Sequence, residues 1–217
     1  MSDMDIQAIY SKRFEGQLEL RKALWKVLCR DYFQQYFPPN STVAEMGAGY
    51  CEFINSIVAV KKIAVDINPE SSKFADPAVQ FLQSVAKNLP GISTESVDRV
   101  FTSNFFEHLS RPDIMDTLNE IHRILKPGGK VIILQPNFRY CYKDYYMFFD
   151  HISALDHRSM EEVLKMTHFN IQKMIPRFLP YTTRGNLPSS LFLLKIYLRF
   201  PLLWKIFGGQ MLILAAR

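Results

Sequence analysis

What this 217-residue chain has little of narrows its function before any motif is read. Its three cysteines, Cys29, Cys51 and Cys141, show no paired spacing of the kind a disulfide framework or a zinc site needs. Free thiols in a reducing compartment are expected. The first residues, Met1 to Asp5, carry acids where a secretory leader has bases, and no apolar core follows them. The expected location is therefore cytoplasmic. No basic stripe with regularly interleaved aromatics is present, so nucleic acid is not an expected partner. No residues stand at metal-ligand spacing, and no metal is expected. The apolar stretch 191–207 is interrupted by Lys195, Arg199, Pro201 and Lys205, which argues against a membrane-crossing helix.

Acid is missing from the C-terminal part. No Asp or Glu follows Glu162, whereas eight of the 26 Lys and Arg lie beyond it, so the formal charge of +5 is a property of the tail. Such a block favours an anionic partner such as a phosphate, a pyrophosphate or an acidic lipid surface. A solvated helix face is the plainer reading of each single cation.

What is present suits one α/β domain: 48% hydrophobic residues in a length that supports a single core. Apolar residues recur at helical spacing from Ile6, Ile9 and Phe14 to Leu28 and Tyr32, giving an N-terminal helical cap over 1–37 that ends at Pro38-Pro39. Thr42–Met46 reads as a first strand, followed by Gly47-Ala48-Gly49 and a helix over Glu52–Val60. Further strands are expected at 61–67, 79–83, 97–103, 130–135 and 210–215, with helices at 118–126 and 159–168. Strand and helix alternate, which predicts a doubly wound parallel sheet with right-handed crossovers. In such a sheet a glycine turn at a strand's carboxyl end offers backbone N–H groups to a ligand, and an acid after the next strand, Asp66, accepts from a ribose. A dinucleotide enzyme is disfavoured, because Glu52 stands where that pattern needs another glycine.

Four segments together carry a family resemblance. Glu45-Met46-Gly47-Ala48-Gly49, Asp66, Ser103-Asn104-Phe105-Phe106-Glu107-His108-Leu109 and Ile124-Leu125-Lys126-Pro127-Gly128-Gly129 occur in the order seen in the class I S-adenosylmethionine-dependent methyltransferases, and the chain resembles that family over residues 40–136. The resemblance implies a Rossmann-like, seven-stranded, mostly parallel sheet with an antiparallel last strand and helices on both faces. It implies S-adenosyl-L-methionine as cofactor, held by Glu45, Gly47, Ala48, Gly49, Asp66, Ile67, Ser84, Val85, Ser103 and Asn104. Two positions depart from the family pattern: Cys51 replaces a small residue beside the turn, and Val85 replaces the acid that meets the adenine amino group. Gln83, Ser84 or a backbone carbonyl would have to supply that acceptor.

Acceptor chemistry is expected from residues 137–217. The loop after the fifth strand leaves the same rim as the glycine turn and holds Asp150-His151 and Asp156-His157. His151, with Asp150 beside it, is the candidate base; His157 ranks below it because Asp156 also suits a helix N-cap. His108 is a weaker candidate, more suited to shaping the loop. The N-terminal helices and the basic, apolar insertion at 181–208 resemble those of small bacterial methyltransferases acting on glycans or lipid-linked sugars. That likeness implies O-methylation of a carbohydrate-linked or small-molecule acceptor, with peripheral contact of 181–208 on an anionic inner membrane. The alternative is a catalytically silent binding protein that kept the fold.

Overall fold

The computed structural model describes residues 18–181 and 190–217. Ile6, Ile9 and Phe14 of the expected cap, and positions 182–189 of the expected insertion, lie outside them. Seven strands form one sheet: β1 (Thr42–Met46), β2 (Lys61–Asp66), β3 (Val79–Gln83), β4 (Val97–Ser103), β5 (Leu125–Pro136), β6 (Asn170–Ile175) and β7 (Gln210–Ala216). Their spatial order is β3-β2-β1-β4-β5-β7-β6. β1 runs parallel to β2 and β4, whereas β7 runs antiparallel to both β5 and β6. The expected doubly wound sheet with an antiparallel last strand is therefore what the chain forms.

The period-2 geometry of the strands sorts side chains onto two faces. Val131 and Ile133 point into a core beneath α3 (Arg111–Ile124) and α5 (His157–Met166), alongside Leu118, Ile121 and Leu164. Ile132 and Leu134 point into a second core under α1 (Leu18–Asp31) and α2 (Glu52–Ser56), with Leu28, Phe33, Phe53 and Phe101. The stacked pair Phe53 and Phe101, with ring centroids 3.8 Å apart, ties α2 to β4.

Four element boundaries differ from expectation, two for a tertiary reason and two for a local one. α2 stops at Ser56 instead of Val60, because the Gln34 amide bonds both the N–H and the carbonyl of Val58 and holds that segment out of the helix. α3 begins seven residues before Leu118, capped by Ser110, whose hydroxyl accepts from Asp113 N–H, with Pro112 in the first turn. The same helix ends at Ile124 instead of Lys126, because Leu125 already pairs with Val97; Pro127-Gly128-Gly129 is an irregular stretch of β5 where the register shifts and Gly128 takes φ +75°. The apolar segment 191–207 is two helices, α6 (Leu191–Arg199) and α7 (Pro201–Phe207), broken where proline cannot continue the first. β6 was not located in the sequence, since it is a partly exposed edge strand with a register shift and no clean alternation.

The carboxyl ends of β1, β2, β4 and β5 share one rim, and the strand order reverses between β1 and β4, where an open α/β sheet leaves a crevice. α1 crosses that rim. The Arg21 guanidinium holds the Glu52 carboxylate through bonds of 2.6 and 2.8 Å, pinning the cap to the helix that follows the glycine turn. Among the described residues no helix is long and apolar enough to cross a membrane.

Candidate active site

The glycine turn holds the conformation its sequence implies. Gly47 has φ +67° and Gly49 φ +51°, backbone that L side chains adopt only with strain. A Cβ on Gly47 would stand 2.5 Å from the Phe105 ring, whereas one on Gly49 would enter open space in the crevice. The turn is therefore packed from below and open above. Asp66, at the end of β2, accepts from Gly49 N–H at 2.7 Å and from Asn68 N–H at 2.8 Å. One carboxylate thus fixes the turn and its own loop together. Glu45 is 4% exposed and accepts from Ile54 N–H at 3.1 Å, bracing the first turn of α2. Burial pushes its carboxyl well above the usual range, and burial likewise raises Asp66, against the pull of its N–H donors.

All ten residues expected to hold the cofactor line one crevice of about 1010 Å³. That volume exceeds what a single small ligand needs and leaves room for a second. Asp66 and the turn match the chemistry of a ribose diol beside a zwitterion: a carboxylate at the strand end lines the crevice, and the backbone above Gly49 is unobstructed. Ile67, 48% exposed, presents a flat apolar face next to Ser84 and Val85. Ser103 and Asn104 form the floor, with Asn104 in left-handed backbone and its amide donating to the Ser103 hydroxyl at 3.3 Å.

The two departures separate on inspection. Cys51 does not narrow the crevice: its side chain is buried, its Sγ faces the Ser71 carbonyl at 3.6 Å, and its cost is a non-glycine residue at φ 55°. Val85 does line the crevice, 40% exposed, whereas Gln83 is absent from the lining and turns its amide toward the Ile67 carbonyl at 3.5 Å. Val85→Asp should therefore tighten S-adenosylmethionine binding about tenfold, the lower end of what a hydrogen bond to a charged group contributes. Unchanged affinity in a calorimetric titration would show that the adenine lies elsewhere.

At the other end of the crevice, Glu107, His108 and His151 converge. His151 is there because the segment after β5, which forms α4 (Phe138–Tyr145) and then a loop, is tied back: the Ile152 and Ser153 N–H groups donate to the Glu107 carbonyl at 2.9 and 3.1 Å, and the Tyr145 hydroxyl donates to the Ser153 carbonyl. The His151 Nε2 faces Glu107 Oε1 at 4.0 Å, and His108 Nε2 faces the same oxygen at 3.9 Å. The carboxylate near His151 is thus Glu107. Asp150, expected to serve His151, instead meets His108 Nδ1, through its carbonyl at 3.0 Å and its Oδ2 at 3.4 Å. Burial raises the Glu107 carboxyl, with His108 opposing. His157 lies outside the crevice beside the Asn137 amide, and Asp156 caps α5 through the N–H groups of Arg158 and Ser159. Burial pushes the Cys51 and Cys141 thiols up to about 12, so neither is a nucleophile at neutral pH.

Residues 44–133 match the family described as "Methyltransferase domain". The chain carries a class I, S-adenosylmethionine-dependent methyltransferase domain. Around this core the fold brings three further parts to the crevice. Phe105 underlies Gly47, Glu107 anchors the histidines, and the crevice wall includes Trp25 of α1 and Leu193, Leu194 and Tyr197 of α6. Only Glu107 had a sequence signal, its place beside His108 just after Ser103-Asn104.

The chain is 32% identical over 83 residues to a demethylmenaquinone methyltransferase of Staphylococcus saprophyticus, a match covering 32% of this chain and 31% of that protein. The chain thus spans about a third of that relative's length. Its fold is similar to that of a SAM-dependent methyltransferase from Archaeoglobus fulgidus, with TM-score 0.70 and 21% identity over 97% of this chain and 99% of that one. It is also similar to a geranyl diphosphate C-methyltransferase from Streptomyces coelicolor, solved with S-adenosyl-L-homocysteine, at TM-score 0.62 and 14% identity over 87% and 79% of the two chains.

Proposed function

We propose that this methyltransferase O-methylates a lipid-linked or carbohydrate-linked small-molecule acceptor. The observation that carries the reading is the continuity of the crevice from the Gly47–Gly49 turn and Asp66, past Glu107 and His151, to the apolar wall of Phe148, Leu193 and Leu194. S-adenosylmethionine, when bound, supplies an electrophilic methyl on a sulfonium. The chain's own residues do the rest. Asp66 and the turn orient the donor, the Ser103-Asn104 floor fixes where the methyl points, and the apolar wall excludes water from the acceptor. His151 belongs to the cluster against which the acceptor hydroxyl is activated. The names of two similar proteins, which act on demethylmenaquinone and geranyl diphosphate, agree with an acceptor that has a substantial apolar part.

The acceptor-side helices support contact with an anionic membrane surface. Phe192 is 68% exposed, Leu202 72% and Ile206 62%, with Lys195 and Arg199 on the same helical face as Phe192. Each cation near an anionic surface contributes about 1 kcal/mol, so replacing Lys195 and Arg199 together by Ala should lower partition onto phosphatidylglycerol vesicles about thirtyfold. Equal sedimentation of both proteins with these vesicles would remove the membrane from the proposal.

The activity test uses the purified chain, S-adenosylmethionine labelled at the methyl group, and total lipid and glycan extracts. Label is expected in an organic-soluble or glycan product as an alkali-stable ether. Failure of the chain to bind millimolar S-adenosylmethionine in a calorimetric titration would instead favour a silent binding protein.

A further inference from the structure

The Glu107, His108 and His151 cluster has an unusual balance of donors and acceptors. One ligating atom from each residue lies within 4.8 Å of the other two. The His108 Nδ1 stands 3.0 Å from the Asp150 carbonyl, to which it donates, and this contact turns Nε2 toward Glu107. Glu107 Oε2 accepts from the Gln135 amide at 2.8 Å, while Oε1, fully buried, accepts no hydrogen bond among the described residues. The side chains of Glu107 and Asp150 are both buried here, 1% and 8% exposed. A buried carboxylate oxygen with no hydrogen-bond donor among the described residues, faced by two imidazole nitrogens at 3.9 and 4.0 Å, has the composition of a cation site.

We propose that Glu107 Oε1, His108 Nε2 and His151 Nε2 bind a divalent zinc-class ion, with its open position toward the crevice. This rests on the methyltransferase reading and deepens it by naming what activates the acceptor. Two imidazoles and a carboxylate form a borderline donor set suited to Zn²⁺ and a poor one for Mg²⁺, which takes six oxygens. Zinc bonds of about 2.0–2.1 Å in tetrahedral geometry put donors about 3.3 Å apart. The two donor pairs measured, at 3.9 and 4.0 Å, have to close by about 0.6–0.7 Å, which small side-chain rotations supply. The Asp150 carbonyl behind His108 and the Gln135 amide behind Glu107 are the outer partners that orient such ligands. In this arrangement the acceptor hydroxyl binds the ion and loses its proton to water. The oxygen lone pair then forms the O–CH₃ bond as the S–CH₃ bond breaks, and its electron pair stays on sulfur as S-adenosylhomocysteine.

The test titrates the chelator-stripped full chain with Co²⁺ and then Zn²⁺. The expected result is one Co²⁺ per chain with intense visible absorption of a four-coordinate ion, displaced by Zn²⁺ and not by millimolar Mg²⁺. Glu107→Gln, His108→Ala and His151→Ala are each expected to weaken Zn²⁺ binding at least a hundredfold, Gln135→Ala about tenfold, and His157→Ala not at all. A weak six-coordinate spectrum, no binding at micromolar ion, or affinity that survives all three ligand substitutions overturns the ion. The wild-type spectrum decides even where a variant fails to fold. Cofactor titration on the same samples separates the two readings. Cofactor binding without metal binding removes only the ion, and metal binding without cofactor binding removes the methyltransferase reading.

Discussion

Asp66→Ala should lower the affinity for S-adenosylmethionine by about two to four powers of ten. Two charge-assisted hydrogen bonds to the ribose diol are lost, at roughly 1.5–3 kcal/mol each. The carboxylate also holds Gly49 N–H and Asn68 N–H, so the substitution loosens the turn it was seating. Asp66→Asn keeps one acceptor oxygen and should lose about half as much on the logarithmic scale. Calorimetry with S-adenosylhomocysteine measures both, and near-normal affinity of the alanine variant would displace Asp66 from the ribose. The same residue sets a pH dependence. Two hydroxyl donors favour the ionised carboxylate, and burial raises its pKa in the free protein. Below that raised pKa, binding has to expel a proton, and affinity falls up to tenfold per pH unit. The fall should begin at a higher pH than for an ordinary aspartate near 3.9, and Asp66→Asn should abolish it.

His151→Ala should cut turnover at least a hundredfold while leaving cofactor affinity within about twofold, because His151 stands on the acceptor side of the crevice beside Glu107. Glu107→Gln should give a comparable loss, since its Oε1 is what both imidazoles face. Initial rates with saturating S-adenosylmethionine, alongside a binding titration, separate the two effects. Normal turnover of both variants would place acceptor activation elsewhere. Removing one partner of such a cluster often costs as much as removing all, so the double variant should be little worse than either single one.

The two halves of the site were unequally readable. The donor half is local in sequence: a glycine turn leaves a strand, an acid ends the next strand, and Ser103-Asn104 ends another, so short motifs carry it. Parallel pairing of β1 with β2 and β4 then brings those strand ends side by side without further instruction. The acceptor half depends on distant contacts. Asp150 precedes His151 in sequence, yet it faces His108, because the loop is folded back by two N–H bonds to the Glu107 carbonyl. Adjacent residues in an extended loop point apart, and sequence neighbours are therefore poor guides to charge partners there.

The sequence by itself determined six of the seven strands, the glycine turn, the residues proposed to seat the donor and the acid-free tail, because strand periodicity and turn chemistry act over a few residues. Only the tertiary structure decided that Cys51 points away from the crevice, that α1 and α6 wall it, and that Glu107 gathers His108 and His151 into one cluster. The reason is physical: a backbone turn is fixed by the φ and ψ its own residues allow, whereas a cluster of buried lone pairs exists only once long-range hydrogen bonds have closed the loop over it.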